Sequence, residues 1–388
     1  MDPDQYLGES LLEQIEKEAE SEGERESDLK VAARGPLLYW MRRLEANMRE
    51  PVWLRTNWRL IRPDESIEAD VASSWREALR LSAHGRWRRA AEVFAGLIER
   101  LPENPALWWN KGLCLARYGR LEEAAEWVRR YAERVEDEAA AVDIEAFAIS
   151  LIEAANPSMI TCNRYSYRIA SRTRLVERLA SAPSVQKMQE PDGSHRWVLV
   201  GQPLQQGQPV GSETGDGSQL YFAIAAIRMV NDRVEIVPTV DESEEARRQF
   251  LAIVGDAIDV GSERSESFQQ LTLRARFEQP LFGACTEEIL IQRREIVQRY
   301  RARYEQHWAE TRFNCLDGKT PREAYEEAQL RRRVRAALWL VEQRFFAMGS
   351  EPPALREQFG IDPEPSWELD GHNLKEVPPS RLPYLRLD

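Results

Sequence analysis

Lysine, histidine and cysteine are all scarce in this chain, and each scarcity closes off a kind of chemistry. Across 388 residues there are six lysines, four histidines and four cysteines. Cys114, Cys162, Cys285 and Cys315 lie far apart, with no CxxC or CxH spacing among them. Neither a zinc site nor a disulfide framework is indicated, and the thiols read as reduced. His84, His195, His307 and His372 stand in no Ser/His/Asp or HExxH context, so no catalytic residue and no metal is assigned, and no cofactor is implied. No run approaches the ~18 consecutive apolar residues of a membrane span; the longest strongly apolar run is Leu220 to Ile227. The first thirty residues are acidic, the reverse of a secretory leader. These absences predict a cytoplasmic protein with no membrane partner. Among basic residues Arg dominates, as expected of a GC-rich bacterial genome.

The charge that is present is unevenly placed. The net charge is −12, and residues 1 to 28 hold eleven acids against Lys17 and Arg25, so nine of those twelve charges fall in this stretch. Its Glu-rich part has almost no apolar face to bury, so residues 1–32 read as a solvated, disordered or frayed arm. An arm of that sign repels phosphate backbones and argues against nucleic acid as a partner.

An internal repeat is the strongest signal. Gly85-Arg86-Trp87-Arg88-Arg89-Ala90-Ala91-Glu92 recurs 34 residues later as Gly119-Arg120-Leu121-Glu122-Glu123-Ala124-Ala125-Glu126. Gly lets the chain turn between two antiparallel helices, and Ala78, Ala90 and Ala124 let helices approach closely. Pro102 and Pro105 end one hairpin and open the next. The period, with Trp108 and Gly112 in a first helix and Ala124 and Tyr131 in a second, resembles the tetratricopeptide repeat. Two such hairpins cannot bury their faces alone, so neighbours are expected to cap them. Glu138 to Ala155 supplies a third helix, and the amphipathic Pro36 to Met48 segment is a second candidate. A helical-repeat domain is placed at 33–157.

Beyond Pro157 the composition changes. Arg172 to Ala182 is helix-like, whereas Trp197–Val200, Leu220–Val230 and Val234–Val240 are rich in β-branched and aromatic residues, with Asn231-Asp232 as a hairpin turn. Ser243 to Ile258 returns to helical spacing, and Gly207 to Ser218 reads as a loop. An α+β domain is therefore expected at 158–275. Two long amphipathic helices follow, one after Thr286 and one from Leu330 to Phe346, in a C-terminal helical domain at 276–349. A Pro-rich tail occupies 350–388. The fold class is mainly α with a smaller α+β part. Leu316-Asp317-Gly318-Lys319-Thr320-Pro321-Arg322-Glu323-Ala324 resembles turns in some transposases and in bacterial proteins that pair tetratricopeptide helices with a SecA-type zinc motif, but the zinc cysteines are absent here. Capping physics explains most of that turn.

In the family resemblance, first helices line a concave face. The same helical position recurs as Trp75 and Trp109, then as Leu79 and Leu113, with Arg117 on the flank. Such a groove suits a peptide or helix, unless the flanking N-terminal helix or the following domain fills it. Arg331, Arg332 and Arg335 on the last long helix are candidate contacts for an acidic partner, or for acids within the chain. The expected function is a non-enzymatic protein- or peptide-binding scaffold. The alternative is an enzyme or nucleic-acid-processing factor with a cleft between the α+β domain and the Arg-rich helices.

Overall fold

The computed structural model describes residues 59–189, 195–203, 221–278, 281–282, 289–348, 350–362, 367–368 and 385–386. The acidic stretch 1–32, the Pro36 to Met48 helix, the Gly207 to Ser218 loop and much of the tail 350–388 lie outside the described residues. The chain divides into two compact units. One contains Asn163–Ser267 and Gln279–Arg293; the other contains Glu45–Cys162, Phe268–Glu278 and Arg294–Asp388.

The second unit is helical. Its helices α1 (Ala69–Ala83), α2 (Trp87–Arg100), α3 (Pro105–Tyr118), α4 (Leu121–Ala132) and α5 (Glu138–Ala155) pack each on the next. The turn after α1 and the turn after α3 are built alike. Gly85 and Gly119 take φ of 70° and 90°, a left-handed backbone that costs other residues a Cβ clash. The Arg86 and Arg120 N–H groups then return to the Leu81 and Leu115 carbonyls, both at 2.9 Å, which satisfies the exposed helix ends. Asn104 caps α3 by accepting from the Ala106 N–H, with Pro105 at the first helical position. At Gly112 a Cβ would stand 3.0 Å from Val128 Cγ2 and 3.3 Å from the Ala124 carbonyl oxygen. Glycine is what lets α3 and α4 come together there. The core between these helices includes Trp75, Phe94, Leu107, Val128 and Leu151, and full burial of each such side chain stabilises by about 1.5–3 kcal/mol.

Helix α10 (Arg331–Ala347) packs against α5 and buries Val334, Leu338 and Val341. The apolar face of α10 needs a partner and finds it on α5. The turn before α9 (Pro321–Glu326) has Asp317 at φ 57° and Gly318 at φ 72°. Thr320 and Glu323 complete the expected capping box. Phe277 stacks on Tyr304 of α8 (Ile289–His307) with centroids 4.3 Å apart, and Arg356 meets the Glu342 carboxylate with both groups buried.

The other unit is built on an antiparallel sheet. Its strands are β1 (Met159–Ile169), β2 (Val185–Gln189), β3 (His195–Pro203), β4 (Tyr221–Val230), β5 (Arg233–Pro238) and β6 (Ile258–Leu271), in the order β2-β3-β4-β5-β1-β6. Strands β1 and β6 each run past the ends of Asn163–Ser267. A short β7 (Leu281–Phe282) pairs with β4. Helices α6 (Arg172–Ser181) and α7 (Ser243–Val254) supply Leu175, Leu179, Phe250 and Val254 to a core shared with Tyr167, Trp197, Ile227 and Ile236. Asn231 turns the β4–β5 hairpin at φ 54°, as its sequence suggests. Strands β1, β2 and β6 carry too little alternation to be read beforehand.

Candidate functional site: the α1–α3 face

Trp75 on α1 and Trp109 on α3 occupy equivalent positions, and both are buried, at 1% and 4% exposure. Part of what covers them is the chain itself. Residues 59–64, which form neither helix nor strand, run across the two helices. The Trp109 indole N–H donates to the Arg59 carbonyl at 2.9 Å, and the Trp75 indole N–H donates to the Ile61 carbonyl at 3.0 Å.

Between them lies Asn110, with no exposed surface. Its Oδ1 accepts the Ile61 N–H at 2.7 Å, and its Nδ2 donates to the Ile61 carbonyl at 2.8 Å. One side-chain amide therefore satisfies both polar groups of one residue, as a neighbouring strand would. Leu60, Ile61 and Ile67 add partly buried aliphatic contact with the helical core. Trp109 is fixed from behind by Tyr131 and Phe147, at centroid distances of 5.1 and 6.0 Å. Burial beside these rings raises the Tyr131 phenol above its usual range, and burial pushes the Cys114 thiol up to about 11.

The other expected residues fall into two sets. Leu113 is buried and Leu79 half-buried in the same core. Arg117 is exposed and lies at the turn end of α3, its guanidinium 6.0 Å from the Trp87 ring. Arg331, Arg332 and Arg335 meet acceptors within their own unit. Arg332 donates to Glu138 at 2.8 Å and to the Ala132 carbonyl at 3.1 Å. Arg335 donates to Glu138 at 3.2 Å, and Arg331 to the Tyr325 carbonyl at 3.0 Å. The Arg332 and Arg335 contacts tie α10 to the end of the array, whereas Arg331 on Tyr325 and Arg333 on Asp317 hold it to α9 and the turn before it. Among the described residues no group of three or more His, Cys, Asp or Glu could hold a metal ion, and no described helix is long and apolar enough to cross a membrane.

Residues 76–140 match the tetratricopeptide repeat family. The chain carries a tetratricopeptide array. The matched span runs from α1 into α5 and so contains Trp109 and Asn110, while Trp75 and the segment on the array's α1–α3 face precede it. No curated protein and no solved structure matches the chain. Sequence reasoning singled out Trp75 and Trp109 and did not name Asn110. Its signal was an amide one step from the repeated Trp, in a stretch, Leu107 to Leu115, whose one other polar side chain is Lys111.

Proposed function

We propose that the protein is a non-enzymatic scaffold that binds a polypeptide partner on the α1–α3 face of its tetratricopeptide array. Trp75, Leu79, Trp109 and Leu113 form the apolar part of that face, and Arg117 is its charged flank. The observation that carries the reading is the pair of hydrogen bonds between Asn110 and Ile61. A buried amide placed to grip a main chain supports peptide recognition, with the ligand taking the place that Ile61 holds.

The test is site-directed photocrosslinking in the native host. A benzoylphenylalanine at Leu79 should trap a partner protein, whereas one at Val260, exposed on β6, should not. Crosslinks only from Val260 would remove the array as the binding surface.

A further inference from the structure

Resting on that reading, we infer that Arg59–Ile61 is a resident stand-in for the partner, and that the partner is an extended segment with two consecutive aliphatic residues that displaces it.

Among the described residues, the hydrogen bonds on this segment end on main-chain atoms, at Arg59 and Ile61. Any residue with an N–H at the second aliphatic position satisfies them equally, so the clamp itself does not demand this particular sequence. What the array does demand is an occupant. Asn110 is fully buried, and a buried amide without partners is costly. Its Oδ1 and Nδ2 both point to Ile61.

The occupant itself is lightly held. Leu60 and Ile61 are only half-buried, and the segment contributes no helix or sheet, which places it at the low-stability end of local opening. Its link to α1 is a separate small turn, in which Asp64 accepts from the Ile67 N–H through its carbonyl and from the Ser66 N–H through its carboxylate. Release of Arg59–Ile61 therefore breaks no helical hydrogen bond. Being tethered, it competes at an effective concentration of about the millimolar range. A partner in trans binds the closed form weakly and the opened form strongly.

The experiment uses the full chain, a Leu60→Ser/Ile61→Ser variant, and a fluorescein-labelled peptide of residues 57–67 as the probe, read by anisotropy. The variant should bind the probe at least tenfold more tightly than the unaltered chain, and adding Asn110→Leu should remove that gain. Equal binding by the two chains, or no binding by a variant of unchanged helicity, overturns the inference. Hydrogen exchange on the unaltered chain guards against a variant that fails to fold: the Ile61 amide should exchange at least 100-fold faster than the Cys114 amide in α3, and equal protection overturns the inference. A dimer formed by exchange of this segment between two copies also overturns it. Crosslinks at Leu79 that are identical in both chains sink the displacement alone and leave the scaffold standing.

Discussion

Asn110 and Ile61, 49 positions apart, are joined by two hydrogen bonds at 2.7 and 2.8 Å. The pair sets the register of the N-terminal segment on the array, because a shift of one residue would offer Asn110 a different peptide unit and move Leu60 off the core. Asn110→Leu keeps the volume but leaves the Ile61 N–H and carbonyl with fewer partners. It should cost about 1–3 kcal/mol, read as a lower urea midpoint. A midpoint within experimental scatter of the parent would show that water replaces the amide at no cost.

The repeat turns give a backbone prediction. Gly119→Ala puts a Cβ on a residue at φ 90° with no neighbour within 4 Å to clash with it. The loss is then purely conformational, about 1–2 kcal/mol, measurable by denaturant unfolding. Gly85→Ala, at φ 70°, should lose a similar amount.

Glu145 makes a prediction about pH. Burial raises this carboxyl above the ordinary value of 4.5, against the opposing pull of Arg129 and Arg333. The folded state thus binds its proton more tightly than the unfolded state, and the contribution is fully present below pH 4.5 and lost as pH rises through the raised value. The melting temperature of the parent relative to Glu145→Gln should fall across that window. A relative rise would mean that the two arginines outweigh burial.

Thiol chemistry gives a fourth. Cys114, Cys162 and Cys315 are buried, Cys114 is raised to about 11, and burial, with Glu153 close by, holds Cys315 well above its usual range. At pH 8 none of the three should be alkylated in the folded protein, and all should react in urea. Mass-mapped labelling of Cys114 without denaturant would contradict the packing of α3.

The array was legible because its residues repeat for steric reasons. Gly at each turn and Ala where helices touch recur every 34 residues, and α5 shows its apolar content within one continuous stretch. The sheet was half legible. The β4–β5 hairpin alternates cleanly, but β1 steps three residues from Cys162 to Tyr165, and β6 is polar along most of its length because it sits at the sheet edge. The sequence left open whether the arginines of α10 meet an acidic partner or acids within the chain, since Glu138, which Arg332 and Arg335 meet, is 194 residues from Arg332. No periodicity marks Leu60 and Ile61. Their place is set by tertiary hydrogen bonds and by contact with the helical core.

The packing of α10 on α5 also has a consequence in time. During synthesis, α5 leaves the ribosome long before the helix that covers it. At about 5–20 residues per second, the 194 positions between Glu138 and Arg332 correspond to roughly 10–40 s in which the end of the array stands uncovered, while the sheet unit encoded between them is made. Among the described elements the array is therefore the first to be made and among the last to be finished, so a chain that stops before Arg331 leaves behind repeat helices with an exposed apolar flank.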